Sequence, residues 1–469
     1  MADNPGRRAA FYARIERFLN RGLPQHVHIS LNLFWPLTLL PFLILGQLFT
    51  PHPVWITLLI TLLGIYALGY LWVRGQATEV DLERSREGTI LVAGDTLAEE
   101  LTLQNSGRLP VLWAEFRDES DLPGYNPSQI VAAPALSNYR WRVTAECRQR
   151  GVFRIGPSQL LLADPFGFFS LQIDFTDSES LLIYPRIVQL PQFAMPHGSA
   201  SGGDRMRRPL QGAVPSASIR DYRYGDSLRY IHWPSTAHRG NLAVKELELE
   251  PSGDVWIVLD LDESVHYGEG EENTLEFSIV VAASLTAELL SGGERRAVGL
   301  LTVSGPQNAE QDANTAARAL MVPPQRGQAQ LWRIMAALAP ARATDLPLAD
   351  LLHSSAEVLG HRRTVIVVTP SYVPDEKSET RGARDWTAEL LQLQAAGLTS
   401  SVLLVVPAGS EPTGVGPLRQ VLAGLEIPVQ VMAIGSHLPP LLTYRRTRTE
   451  IRSTPSGGAI TVVVEEEVG

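Results

Sequence analysis

Two long apolar runs stand near the start of the chain. Leu31 to Phe49 reads LNLFWPLTLLPFLILGQLF and Val54 to Val73 reads VWITLLITLLGIYALGYLWV, neither with a charged side chain. A bilayer core of about 30 Å needs roughly 20 apolar residues in a helix, which satisfies its own backbone groups in lipid. Each run therefore predicts a transmembrane helix, and the four residues Thr50, Pro51, His52 and Pro53 between them predict a tight helical hairpin over 31–73. From residue 78 the texture changes to short alternating runs such as TILVAGDTLAEELTLQN, broken by Asn105-Ser106-Gly107 and Leu122-Pro123-Gly124. Alternation at that spacing predicts antiparallel strands, read as an all-β sandwich-like domain over 78–190. Within it, Ala163-Asp164-Pro165-Phe166-Gly167-Phe168-Phe169 predicts a tight turn that carries aromatic residues back onto the sheet.

Gly, Ser, Ala and Arg then dominate a stretch read as a linker, 191–218. After Pro251 continuous apolar strands alternate with helical patterns. Strands are expected at 254–261, 297–303, 364–369, 401–406 and 429–434, and helices at 274–290, 328–339, 346–359, 386–396 and 417–425. Such alternation predicts a C-terminal α/β (Rossmann-like) domain over 251–440, its mainly parallel sheet covered on both faces. A tail of mixed charge, 441–469, closes the chain.

Charge changes this picture in two ways. The formal net charge of -10 argues against nucleic acid as a partner, which calls for a basic face. Arg7, Arg8, Arg14, Arg17 and Arg21 lie in the N-terminal segment 1–30, and Arg74, Arg84 and Arg86 follow the second run, whereas the turn between the runs has no lysine or arginine. The positive-inside rule then places both ends and the soluble domains in the cytoplasm, with the hairpin as two spans of the cell membrane. A cleaved signal peptide fits less well, because the apolar run starts late and a second follows at once. The single cysteine, Cys147, excludes an intramolecular disulfide.

Ligands of open α/β sheets sit beyond the carboxyl ends of the strands. There the first strand runs into Asp260-Leu261-Asp262-Glu263-Ser264, whose alternate oxygen-bearing side chains suit a hard cation such as magnesium. The arrangement resembles the D-x-S-x-S adhesion site of von Willebrand factor A domains, with Asp262 where that family has serine. The resemblance implies Thr344 as the later-loop threonine that completes that family's site; the family also places an aspartate after a central strand, where this chain reads Thr369-Pro370-Ser371. The competing reading is that Asp260 and Asp262 serve ordinary loop capping.

The densest signature runs from Ile219 to Glu248 and contains Arg220, Tyr222, Gly225, Asp226, Arg229, His232, Trp233, Arg239, Lys245 and Glu246. It resembles the hallmark of the bacterial and archaeal domain of unknown function 58 family, R-x-Y-x-x-G-D-x-x-R-x-I-x-W-x-x-S-A-R-x-G-x-L-x-V-K-E. Thr236-Ala237-His238 stands where that family reads S-A-R. The R-G-x-F-x-I-G-P stretch, the D-P-F-G-x-F turn and Ile183-Tyr184-Pro185-Arg186 agree as well. The resemblance implies a von Willebrand A-like membrane protein whose partner is a MoxR-type AAA+ ATPase, and a role in assembly without a catalytic site. On the residues themselves, arginines interleaved with carboxylates and aromatic rings suit either a staple between the two soluble domains or a docking surface for a protein.

Three functions follow from these features. The first is a cytoplasm-facing adaptor that borrows its energy from another chain, since no Walker-type glycine loop is present. The second is a metal-dependent hydrolase using Asp260 and Asp262 with His232 or His266 as proton carrier. The third is an adhesion module outside the cell.

Overall fold

The structure is a computed structural model, and it describes residues 17–87, 90–191, 213–222, 231–249, 254–268, 270, 273–291, 296–304, 318–360, 363–372, 385–409, 412, 414–435, 444–453 and 459–468. The chain divides into two units, Met1–Tyr184 and Pro185–Gly469.

In the first unit the leading apolar run is not one helix. Its beginning belongs to the strand Val27–Leu31, which pairs antiparallel with Phe169–Phe175. The chain then turns through a short 3-10 helix, Trp35–Leu39, into the helix Leu40–Phe49. The span expected from residue 31 is thereby shortened to fifteen helical residues, Trp35–Phe49. The reason is local: Val27 and Ile29 are buried in the β-domain core, and Asn20 closes the strand by hydrogen bonds to and from Ile29.

The second run forms a 27-residue helix, Pro53–Glu79, that passes straight into the strand Val80–Glu87. Its first half is apolar on all sides and exposed. Its second half buries a stripe, Tyr66, Gly69, Val73, Gln76 and Ala77, at the three-to-four spacing of one helix face. That stripe joins the core of the β-domain with Leu101, Phe116, Leu160 and Leu171.

The β-domain is built of a five-stranded sheet and two three-stranded sheets. The five-stranded sheet and the sheet of Val80–Glu87, Thr96–Asn105 and Ser137–Glu146 share one core, where Phe116 meets Trp141 edge-on at 5.6 Å. The expected turn is present: Asp164 accepts hydrogen bonds from Phe166 N (2.9 Å) and Phe169 N (2.6 Å), and Gly167 takes φ +72°. It carries its aromatics onto the long helix, stacking Phe168 on Tyr66 at 4.4 Å.

In the second unit a six-stranded sheet has Arg318–Gln325 at one edge, followed by Val298–Ser304, Val255–Leu259, Thr364–Thr369, Thr399–Val406 and Val429–Ala433. All neighbours are parallel except the edge strand Arg318–Gln325, which sequence reading missed. The helices Leu348–Leu359, Trp386–Ala395 and Val415–Gly424 pack on the face that carries Trp256, Val258, Val365 and Val367. The helix Thr274–Ser291 packs on the sheet by a largely buried surface. It and Pro53–Glu79 are the two helices among the described residues long and apolar enough to cross a membrane, yet two thirds of its apolar window is buried, as befits a core helix.

The expected linker ends early, because Ala213–Asp221 is a strand that pairs antiparallel with Ala243–Leu249. The tail contributes a hairpin of Tyr444–Ser453 with Ala459–Val468.

Candidate functional site

Counting only the parallel strands, the sheet order is second, first, third, fourth, fifth, so the order reverses between Val255–Leu259 and Thr364–Thr369. Such a reversal splays the two flanking connections apart and opens a crevice beyond the carboxyl ends. Asp260 and Thr369 stand there, one at the end of each strand.

Asp260 is 1% exposed and spends both carboxylate oxygens. Oδ1 accepts from Asp262 N (3.1 Å) and Oδ2 from Thr369 Oγ1 (2.6 Å). Asp262 in turn accepts from Ser264 N at 3.0 Å. Thr344 reaches the same loop by a parallel bridge to Asp262, its N donating to Leu261 O and its O accepting from Glu263 N, both at 2.8 Å. Its hydroxyl is buried without a hydrogen-bond partner among the described residues. Asp260, Asp262 and Ser264, singled out from their alternation at the strand end, and Thr344, implied by the resemblance, are thus brought to one strand-end loop.

Thr369 was missed. The expected aspartate after the central strand is absent, and a threonine that donates to Asp260 occupies its place; the T-P-S sequence held no signal for this. Tyr267 and Tyr372 also stand near the site, their rings edge-on at 6.5 Å.

Burial pushes the Asp260 carboxyl up to about 7, against the pull of its hydrogen bonds from Thr369 and Asp262 N, while the Asp262 charge pushes it further up. A cation would offset that penalty. Asp262, Ser264 and the unpartnered Thr344 hydroxyl fit a hard cation whose remaining positions are filled by water, with Asp260 lining the site behind them.

The two histidines assigned to proton transfer are otherwise engaged. His266 Nε2 lies 3.0 Å from Asp260 O, which can only accept, so that nitrogen carries the proton; Nδ1 faces Thr274 Oγ1 at 3.1 Å. Burial holds its pKa below the ordinary value. His232 Nδ1 accepts from Ser235 N at 3.2 Å and lies 2.7 Å from Ser235 Oγ, which makes it the N-cap of the helix Trp233–Arg239.

That helix closes the hallmark hairpin. Gly240, in the left-handed region at φ +73°, ends it, and Thr236 Oγ1 accepts from Ala243 N at 3.0 Å, so the departure from the S-A-R pattern keeps a hydroxyl in use. No residue of the helix is buried, and Trp233 is 65% exposed. Tyr222 N donates to Leu242 O. Gly225, Asp226 and Arg229 lie outside the described residues, and of Arg220, Lys245 and Glu246 only the backbone is described. Replacing the cap tests this reading: His232→Ala is expected to weaken the helix by about 1 kcal/mol and His232→Asn to keep it. Hydrogen exchange across 231–244 is expected to accelerate in the alanine variant alone; equal acceleration in both would show that the cap geometry is not used.

Residues 218–418 match the profile of a family described as "Protein of unknown function DUF58". No curated protein matches the chain. Solved structures with partial likeness include the PapD-like domain 7 of human CEP192, at 13% identity over 23% of this chain and 87% of that one, with a TM-score of 0.17. The CARDB domain of a Pyrococcus furiosus protein shares 12% identity over 21% of this chain and 95% of its own, with a TM-score of 0.15. The pilus adhesin RrgA of Streptococcus pneumoniae shares 10% identity over 62% of this chain and 42% of its own, with a TM-score of 0.17.

Proposed function

From a chain whose residues 218–418 belong to the DUF58 family, we propose that this protein is a membrane-anchored, cytoplasm-facing adaptor or assembly factor whose von Willebrand A-like domain works with a MoxR-type AAA+ ATPase. The observation that carries the reading is the strand-end loop at the sheet's reversal point. Asp262, Ser264 and Thr344 gather oxygen ligands at one mouth, and Asp260 and Thr369 hold that loop in shape beneath them. Magnesium bound there offers an open position that a carboxylate on a partner can fill.

Two further observations favour a binding role over hydrolysis. Both histidines near candidate chemistry are tied into local structure, His232 as a helix cap and His266 against Asp260 O. Arg, Tyr and Trp, dense in the hallmark, are typical anchors of protein interfaces, and Trp233 is exposed.

The test is an in-cell crosslink of the full-length, membrane-retained protein followed by mass spectrometry, comparing wild type with Asp262→Ala. Recovery of a AAA+ ATPase with wild type and its loss from a folded Asp262→Ala protein is the expected result. Equal recovery with both moves the contact away from this loop; recovery with neither removes the ATPase from the proposal.

A further inference from the structure

The apolar hairpin is shorter than a bilayer where it clears the β-domain, and we propose that it enters the membrane and returns without emerging, as a re-entrant anchor. This rests on the membrane reading above and deepens it.

The level at which the hairpin leaves the β-domain is marked by Tyr66. Its hydroxyl donates to Leu33 O at 2.7 Å, and its ring stacks on Phe168. One residue below Leu33, the exposed Asn32 accepts from Ser170 Oγ at 3.0 Å, which starts the polar surface of the domain. On the side that packs against the domain only Pro53–Ile65 stands above that level, rising about 20 Å at 1.5 Å per residue, while the outward face keeps Leu68 and Leu71 exposed below it. A hydrocarbon core is about 30 Å thick, so the tip ends past the midplane but short of the far surface.

The chemistry of the tip agrees with burial in lipid. Residues 50–53 carry no charge, and several polar groups in and near the turn are paired locally. Thr50 Oγ1 donates to Gly46 O (3.0 Å), Thr57 Oγ1 to Pro53 O (2.9 Å) and His52 N to Gln47 Oε1 (3.4 Å), while His52 Nδ1 accepts from Val54 N (3.3 Å). Such closure lowers the cost of placing the turn in hydrocarbon, where each unsatisfied group costs several kcal/mol. The two arms hold each other through the Trp55 ring, which covers Gly46 and meets Phe42 edge-on at 5.9 Å. Leu45, Leu48, Phe49, Val54, Ile56 and Ile60 remain exposed along the outside. At the base, Trp35 is 64% exposed and Phe166 is 45% exposed, aromatic rings at the height where a headgroup region would meet the domain.

The test uses the full chain in vesicles of phosphatidylcholine and phosphatidylglycerol, with a nitroxide on Pro51→Cys in a Cys147→Ser background. Flotation with the vesicles reads membrane binding, and relaxation of the nitroxide by oxygen against a water-soluble nickel chelate present on both sides reads depth. Flotation together with loss of relaxation by the nickel reagent is expected. Vesicles of short-chain phosphatidylcholine are expected to restore that relaxation as the far surface approaches the tip. Flotation with full nickel access in ordinary vesicles overturns the re-entrant anchor in favour of a crossing hairpin, whereas absence of flotation overturns the membrane reading itself.

Discussion

Arg84→Met is expected to destabilise the β-domain by about 3–5 kcal/mol, the range found when one partner is removed from a buried ion pair. Arg84 Nη2 lies 2.8 Å from Asp118 Oδ2 and 3.3 Å from Glu99 Oε2, and it donates to the Tyr125 hydroxyl at 3.1 Å. Tyr125 donates to Glu99 in turn. The Asp118 and Glu99 side chains are almost wholly buried, so solvent screening does little to weaken the cluster. Methionine keeps the apolar stem but leaves two carboxylates facing each other, with only Arg86, 3.8 Å from Glu99 and shared with Glu179, to balance them. For a unit of this size the loss corresponds to roughly 10 °C in the thermal midpoint. The measurement is thermal unfolding of the full chain in detergent. A loss under about 1 kcal/mol would show that water or Arg86 neutralises the pair. The cluster also gives the R-G-x-F-x-I-G-P motif a structural reason: a Cβ at Gly156, which sits at φ +80°, would lie 2.7 Å from Asp177 O and 3.4 Å from Arg84 Nη1.

What could be read from the sequence divides along a physical line. The strand Val255–Leu259 was legible because a parallel strand covered on both faces must be apolar at every position, and all five residues are buried. The hairpin was legible as apolar but not in its boundaries. Only Leu31 of the strand Val27–Leu31 falls in the run, because a strand end and an apolar helix accept the same leucine. The stripe from Tyr66 to Ala77 was hidden for a related reason: the buried stripe and the exposed Leu68 and Leu71 beside it are both apolar, so periodicity is flat. Arg318–Gln325 escaped because it is an exposed edge strand with two prolines, which such strands tolerate and central ones do not. At the site, the strand-end rule and alternation found Asp260, Asp262 and Ser264, while Thr344, in a loop between two helices, was implied only by the resemblance. Thr369 requires knowing which strand lies beside the first, and that adjacency is a property of sheet order rather than of any local pattern.

The same adjacency leads to the second large effect, a pH dependence centred on Asp260. Its carboxyl is pushed up to about 7 in the folded protein from an ordinary value near 3.8. Between those two values the folded chain holds a proton that the unfolded chain has released, so stability falls as pH rises from about 4 to about 7 and stays low above it. The full penalty is on the order of 4 kcal/mol at the upper limit. Asp260→Asn removes the titration while its amide can still meet Asp262 N through oxygen and the Thr369 hydroxyl through nitrogen, since a hydroxyl both donates and accepts. In chelator, the asparagine variant is therefore expected to match wild type near pH 4 and to exceed it by several kcal/mol near pH 8, read as the chemical denaturation midpoint across that range. Added magnesium is expected to narrow the gap by stabilising wild type more than the variant, which keeps the ligands but lacks the Asp260 charge behind them. Identical pH slopes for the two proteins in chelator would mean that Asp260 ionises as an ordinary carboxylate; a slope that differs but ignores magnesium would keep the buried acid and remove the cation. The loop beneath the partner-facing mouth is thus expected to be held in a strained charge state that ligand binding relieves, which couples occupancy of the site to the stability of the domain that carries it.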